Sequence, residues 1–336
     1  MQIIHKTINP GFDPAAYLRI LEQNPGEFSR DKLLFYDIET TGLTAGRDAV
    51  YLVGFVFADG EMWEYMGLFA ESPEEESDVL SRFAEIRSRY SVFVSFNGSS
   101  FDSKFLKKRC EKYGISLSNN GPELDLLREF KDLKSQLSLP AMKQKNLESF
   151  LGSDRTFPEG REGIRLYKAY LLDHDPIKFQ MLTGHNEEDL SGLIMITQMA
   201  SYLQLYRGMY RTVSAELAAS GELVIQIQPE IPFPARFSFE NERVSLAADA
   251  DIVKISVLTK EGKTRIYYPD YKNYDYIPSE DTAMPKSISQ FLDRSLRKAA
   301  KRETCYTWFR VDECFLGDFD SVDKYLRQSL GSLLQN

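Results

Sequence analysis

The chain contains few of the residues that stabilise small secreted or zinc-binding domains. Its 336 residues include only three cysteines, Cys110, Cys305 and Cys314, and these lack the paired spacing of a metal finger. We therefore expect free thiols in a reducing cytoplasm. No apolar run approaches the roughly 20 residues that span a bilayer, and the first residues lack the apolar stretch of a secretory signal. The sequence thus predicts a cytoplasmic protein with no membrane partner.

Two common catalytic patterns and an excess of basic residues are also missing. Without a Gly-x4-Gly-Lys-Ser/Thr loop we expect no nucleotide cofactor, and without a Gly-x-Ser-x-Gly elbow a serine hydrolase has no support. The 41 Lys and Arg residues face 50 Asp and Glu residues, which gives a net charge of −9. This balance argues against a protein that only coats nucleic acid, and it does not exclude an enzyme whose acidic site binds cations.

The order of the predicted elements indicates an α/β domain followed by a different region. Four apolar segments predict strands at 32–39, 50–58, 62–69 and 91–96, and the Asp59-Gly60 turn joins the second and third as a hairpin. Helices are predicted at 101–113, 124–137, 147–151, 164–172 and 187–206. Beyond about Arg211, alternating segments predict short antiparallel strands. We therefore predict an N-terminal extension (1–30), an α/β domain with a mixed sheet flanked by helices (31–208) and a small α+β domain (212–336).

Two carboxylates stand at the end of the first predicted strand, in the segment FYDIETTGL. Residues two apart in a strand project to the same side, so Asp37 and Glu39 point to one place. Unpaired carboxylates at the end of an apolar strand repel each other and pay a desolvation cost unless a cation neutralises them. Oxygen ligands of this kind suit Mg²⁺ or Mn²⁺. The alternative is a strand end with solvated acids.

Two further clusters follow along the chain. Asp102 lies in the segment Asn97–Asp102, where a predicted strand leads into a helix, a position at which sites gather in such sheets. His185 precedes Asp189 by four residues, so on a helix the two side chains share one face. Taken singly, Asp102 is more typical of an acid at a helix start than of a site, and His185 with its acidic neighbours is typical of a solvated helix start.

Together the three clusters resemble the motifs of the DnaQ-like (DEDD) 3′-to-5′ exonucleases, which have a ribonuclease-H-like fold. The DIE segment is similar to the first motif, Asn97-x3-Phe101-Asp102 to the second as written in proofreading domains of B-family DNA polymerases, and HNEED (185–189) to the third. With the segment 139–171 included, the chain looks most like a YprB-type ribonuclease-H-like domain over about residues 30–207.

This resemblance implies a two-metal exonuclease. Four carboxylates, Asp37, Glu39, Asp102 and Asp189, are expected to hold two Mg²⁺ or Mn²⁺ ions, and His185 to act as the base. In this superfamily the third motif is either Tyr-x3-Asp or His-x4-Asp. The chain has His-x3-Asp, which combines the histidine of one subclass with the spacing of the other. Either alignment keeps Asp189 as a ligand, whereas the role of His185 depends on the alignment.

The same resemblance implies a substrate and its contacts. The expected partner is the 3′ end of single-stranded DNA or RNA, contacted by Thr40, Leu43 and Asn97. Two alternatives share the fold: a nucleic-acid-binding module without turnover, and an endonuclease that uses the same metals.

A basic segment at 286–302 is a second candidate for nucleic-acid binding. Helical periodicity would place its apolar residues on one face and Arg294, Arg297, Lys298 and Lys301 on the other. The sequence therefore predicts an amphipathic helix, and its basic face is either simply solvated or binds phosphates.

Overall fold

The computed structural model describes residues 1–117, 121–157 and 161–334, which divide into two compact units, Met1–Ala200 and Ser201–Asn336. The sequence predicted three parts, with boundaries after residues 30 and 208. The described residues have no division near residue 30, and their one division falls after Ala200. The N-terminal segment contributes a strand to the first sheet, and the first unit ends at Ala200. How many parts fold independently stays a prediction.

The first unit is built on a mixed sheet, to which the described residues contribute six strands. They are β1 (Gln2–Ile8), β2 (Leu33–Thr40), β3 (Val50–Asp59), β4 (Met62–Phe69), β5 (Val92–Ser95) and β6 (Glu123–Asp125). The strand order is β1-β4-β3-β2-β5-β6, in which the first three pairings are antiparallel and the last two parallel. The predicted mixed α/β sheet is confirmed.

Eight α-helices are described in this unit. They are α1 (Pro14–Leu18), α2 (Glu76–Arg87), α3 (Asp102–Tyr113), α4 (Leu126–Phe130), α5 (Leu133–Gln136), α6 (Gln144–Phe150), α7 (Arg161–Asp173) and α8 (Pro176–Met195). Short 3₁₀ turns occupy Arg19–Leu21, Arg30–Lys32 and Pro73–Glu75, and a longer 3₁₀ segment, Ile196–Leu203, spans the boundary at Ala200. Among the residues that the structure describes, no helix is long and apolar enough to cross a membrane.

Successive side chains of strand β2 point to opposite faces of the sheet. Leu34, Tyr36 and Ile38 are buried in a core cluster with residues of α2 and α3. The alternate residues Asp37 and Glu39 point the other way because side chains alternate along a strand, and on that side α8 packs across β2 and β3. The carboxylates thus face α8.

Helix α8 begins eleven residues before the predicted start at residue 187. The Asp175 side chain accepts a hydrogen bond from the Ile177 amide at 2.8 Å, and Pro176 occupies the first turn, where its missing N–H costs nothing. His185 and Asp189 therefore lie in the middle of a long helix rather than at its start.

The second unit is β-rich, with helices at its beginning and end. Its strands are β7 (Tyr210–Leu217), β8 (Glu222–Pro229), β9 (Phe237–Glu240), β10 (Val244–Asp249), β11 (Ile252–Leu258), β12 (Lys263–Tyr267), β13 (Tyr274–Ile277), β14 (Thr282–Pro285), β15 (Lys298–Ala299) and β16 (Tyr306–Arg310). Within the described residues, β7 to β11 form one antiparallel sheet in the order β7-β8-β11-β10-β9. Its α-helices are α9 (Gln204–Arg207), α10 (Lys286–Ser289), α11 (Glu313–Gly317) and α12 (Phe319–Leu333), and 3₁₀ turns lie at Tyr271–Asn273, Arg294–Leu296 and Arg302–Thr304.

The predicted amphipathic helix at 286–302 is wrong. The segment instead contains the single turn α10, a 3₁₀ turn and the short strand β15. A helix of this kind is usually stabilised by packing of its apolar face. Phe291, which would belong to that face, is 84% exposed, so this packing is absent at Phe291. Asp293 also accepts a hydrogen bond from the Ser295 amide at 2.8 Å, which favours a turn.

Candidate functional site

The first two candidate ligands lie at the end of β2. Asp37 is half-buried and Glu39 is buried, and both project toward α8. The Tyr51 hydroxyl donates a hydrogen bond to Oε2 of Glu39 at 3.3 Å, so this carboxylate is oriented from the neighbouring strand β3. The period of the strand, as predicted, directs both acids to one side.

Asp102 is the first residue of α3 and is buried. Burial raises the pKa of its carboxyl group to about 7, although backbone hydrogen bonds from Asp102 and Ile38 oppose the rise. Ile38 is the residue of β2 between Asp37 and Glu39. Its hydrogen bond to Asp102 therefore places the Asp102 carboxylate beside these two acids.

His185 and Asp189 lie one turn apart on α8 and face β2. The Nε2 atom of His185 is 3.4 Å from Oδ2 of Asp189 and 3.5 Å from Oε1 of Glu39. Ligand atoms of these three residues all lie within 4.8 Å of one another. The buried Nδ1 atom of His185 has no hydrogen-bond partner among the described residues.

The four carboxylates destabilise one another's charged forms. Burial, and then repulsion from the other three acids, raises the pKa of Asp37 well above its usual range. Burial raises the pKa of Glu39 to about 8, with Asp189 as the second cause. Burial also raises the pKa of Asp189, although His185 and Arg155 oppose the rise. A cluster of this kind ionises fully only when cations neutralise it.

Asn186 is a site residue that the sequence analysis did not single out. Its side-chain amide donates a hydrogen bond to Oδ2 of Asp37 at 2.9 Å, and its amide oxygen accepts one from the Tyr65 hydroxyl at 3.1 Å. A Cβ atom on Gly54 would lie 1.7 Å from that oxygen, so only glycine on β3 lets this helix approach. In the sequence Asn186 directly follows His185 in the polar segment HNEED, where residue type alone does not distinguish it from its charged neighbours.

Arg155 is a second such residue. Its guanidinium group pairs with both oxygens of Glu148, at 2.6 and 2.8 Å, and with Asp189. Glu148 is buried, so this pair fastens α6 beside α8. The sequence offered no spacing that would connect these three residues.

Of the predicted substrate contacts in the first unit, Thr40 is the last residue of β2, and Leu43 and Asn97 lie on the loops that follow β2 and β5. Thr40 donates a hydrogen bond to the Gly42 carbonyl oxygen at 2.7 Å, whereas Leu43 is 73% exposed. Asn97 is exposed and has a φ of 65°, a left-handed conformation that asparagine tolerates. Its backbone N–H donates a hydrogen bond to Oδ1 of Asp125 at 2.7 Å.

The four predicted basic contacts belong to the second unit. Arg294, Lys298 and Lys301 are exposed. Arg297 instead pairs with Asp275 at 2.9 Å.

Three of the four carboxylates border an open cleft of about 340 Å³. Its lining consists of Asp37, Ile38, Glu39, Lys143, Gln144, Lys145, Arg155, His185 and Asp189. Three acidic side chains, one histidine and three basic side chains therefore line the same solvent-accessible cleft.

Comparison with known families agrees with this fold. The profile of the RNase H superfamily matches residues 34–201, half of the chain, and this range includes all four carboxylates. The chain belongs to the RNase H superfamily.

Several DNA polymerases are similar to part of this RNase H superfamily chain. The catalytic subunit of DNA polymerase epsilon from Dictyostelium discoideum is 25% identical over 188 residues, which cover 47% of this chain and 8% of that polymerase. A DNA polymerase from Thermococcus hydrothermalis is 30% identical over 109 residues, covering 29% and 6%. The chain thus spans less than a tenth of the curated relatives it matches.

Solved structures give weaker likenesses. A family B DNA polymerase from the archaeon Pyrobaculum calidifontis has a TM-score of 0.41 and 17% identity, with 52% of this chain and 24% of the polymerase covered. The apo form of a nuclease has a TM-score of 0.35 and 14% identity, with 53% and 76% covered. Likeness at this level does not bear on activity.

Proposed function

We propose that this RNase H superfamily chain is a metal-dependent 3′-to-5′ exonuclease that hydrolyses phosphodiester bonds of single-stranded DNA or RNA. The observation that carries the proposal is the convergence of Asp37, Glu39 and Asp189 with His185 in one open cleft. Asp102 adds a fourth carboxylate that repels Asp37. The direction of digestion and the single-strand preference are inferred from the three motifs, and membership of the YprB-type group stays a prediction.

The donor set fits divalent cations. Carboxylate oxygens are the ligands that Mg²⁺ and Mn²⁺ prefer, and the acids here raise one another's pKa. We propose Asp37, Glu39, Asp102 and Asp189 as the residues that would hold two such ions. When bound, the ions supply Lewis-acid chemistry that activates water and stabilises the charge on the leaving oxygen.

The side chains of the protein itself position the reactants. Nε2 of His185 faces the carboxylates, and we assign it as the atom that accepts the proton of the attacking water. Thr40, Leu43 and Asn97 are proposed contacts of the terminal nucleotide, and the exposed Arg294, Lys298 and Lys301 are proposed contacts of phosphates.

Product analysis tests the reaction class. Single-stranded DNA and RNA, labelled at either end, are incubated with Mg²⁺, Mn²⁺ or chelator. A 3′-to-5′ exonuclease releases a labelled mononucleotide at once from the 3′-labelled strand and produces a ladder from the 5′-labelled strand. Internal fragments without early mononucleotides would indicate an endonuclease, and binding without any product would indicate a silent module.

A further inference from the structure

The cleft contains two lysines to which the proposed reaction assigns no role. Among its lining residues three are acids, Asp37, Glu39 and Asp189, and three are cations, Lys143, Lys145 and Arg155. Arg155 is occupied by Glu148 and Asp189. Lys143 is exposed and has no carboxylate within ion-pair distance among the described residues.

The backbone that carries the two lysines is fastened beside Asp189. Gln144, between them, donates hydrogen bonds to the backbone carbonyl oxygen of Asp189 at 2.7 Å and to Oε1 of Glu148 at 2.9 Å. A Cβ atom on Gly192 would lie 1.8 Å from the same Glu148 oxygen, so α6 and α8 approach as closely as a glycine permits. The start of α6 is therefore held at the cleft rather than free to move away.

This placement has an electrostatic consequence. Cations bound by the carboxylates would neutralise the acids of the cleft, whose lining also contains the ammonium groups of Lys143 and Lys145. A cleft of this polarity attracts an anionic polymer, and compact ammonium groups on flexible stems suit the oxygens of backbone phosphates. We propose that Lys143 and Lys145 form a phosphate-binding edge of the cleft, which holds the backbone of a polynucleotide strand beside the carboxylates. This inference rests on the proposed function.

Salt-dependent binding tests the phosphate-binding edge. A short labelled oligothymidylate is titrated by fluorescence anisotropy in Mg²⁺, with Asp37→Asn in every protein to prevent cleavage. Removing one lysine–phosphate interaction lowers the log–log salt slope by about 0.7 for a single strand. The pair Lys143→Gln and Lys145→Gln should therefore lower the slope by about 1.4 and weaken binding most at low salt, and a Glu pair at the same positions should weaken it further.

The chain offers a matched control in Lys131 and Lys134, two exposed lysines of the same unit that do not line the cleft. Their Gln pair should leave the slope unchanged. Equal slopes in the two Gln pairs would overturn the phosphate-binding edge even if the protein degrades nucleic acid. Conversely, suppose that the Lys143 and Lys145 Gln pair lowers the slope but the unsubstituted chain cleaves no nucleic acid. That result would support the phosphate-binding edge and refute the proposed exonuclease activity.

Discussion

The side-chain amide of Asn186 on α8 donates a hydrogen bond to Oδ2 of Asp37 on β2 at 2.9 Å. Tyr65 on β4 donates to the amide oxygen of Asn186, which fixes which end of the amide faces Asp37. Oδ2 of Asp37 is thus held by Asn186, and we propose Oδ1 as the oxygen that faces a cation. Three elements of the fold therefore set the orientation of one carboxylate.

Asn186→Ala should weaken cation binding, because it frees Asp37 to turn. Outer-shell partners of this kind typically change metal affinity about 10–100-fold. The variant also leaves the buried Tyr65 hydroxyl unpaired, which costs about 1–3 kcal/mol of folding free energy. Calorimetric titration with Mn²⁺ and urea unfolding measure the two effects. Tyr65→Phe keeps Asn186 beside Asp37 and should show a smaller loss of affinity; an unchanged affinity in Asn186→Ala would remove this positioning role.

The metal-free protein should lose stability as the pH rises from about 4 to 8. In the folded state burial raises the pKa of Asp102 to about 7 and of Glu39 to about 8, above their values in the unfolded chain. The folded state therefore binds more protons in this range, and its stability is greatest below the unfolded pKa values and falls as the folded groups ionise.

Urea unfolding in chelator at several pH values measures this fall. Asp37→Asn should flatten it, because one repelling charge is removed, and Mg²⁺ should oppose it. Glu111→Gln, at an exposed position on α3, is the control. If Asp37→Asn and Glu111→Gln changed the pH dependence equally, the mutual repulsion of the cluster would be refuted.

His185→Ala should lower turnover by roughly 10²–10⁴ and remove the acidic limb of the pH–rate profile, since Nε2 is the proposed proton acceptor. Initial rates at saturating single-stranded substrate, measured across pH, provide the comparison. His5→Ala, at an exposed histidine, should leave the profile unchanged. A persistent acidic limb with little loss of turnover in His185→Ala would remove His185 as the base and assign the limb to another titrating group of the site.

Arg155→Met should destabilise the fold by about 3 kcal/mol, because it leaves the buried Glu148 without its ion-pair partner. This value is the lower end of the range for broken buried pairs, since the Arg155 side chain remains 23% exposed. Chemical unfolding of Arg155→Met and of the double variant with Glu148→Gln separates lost charge pairing from lost packing. We expect the double variant to recover much of the loss; no recovery would assign the effect to packing.

Local patterns in the sequence predicted the strand that carries the site. The apolar run before Asp37 sets β2 to within one residue, and the alternation of side chains directs Asp37 and Glu39 to one face. The start of α8 was missed although Asp175 and Pro176 form a recognisable helix start. Helical periodicity led to the wrong prediction of a basic helix at 286–302, because periodicity does not reveal whether another part of the protein covers Phe291.

Contacts between distant segments lay beyond such patterns. Asn186 and Asp37 are separated by 149 positions, and their hydrogen bond depends on a glycine at position 54 that lets α8 approach the sheet. The Arg155 pairs likewise join α8 to a loop and to α6. Propensity and spacing describe single elements, whereas these contacts arise from how the elements pack.

The most direct test of the central claim is a time course of 3′-labelled single-stranded DNA and RNA with the unsubstituted chain and with Asp37→Asn and Asp189→Asn. We predict release of labelled mononucleotides in Mg²⁺ or Mn²⁺, none in excess chelator, and none from either variant, although both variants remain folded. Full activity in chelator, or in Asp37→Asn, would contradict a metal-dependent exonuclease at this cleft.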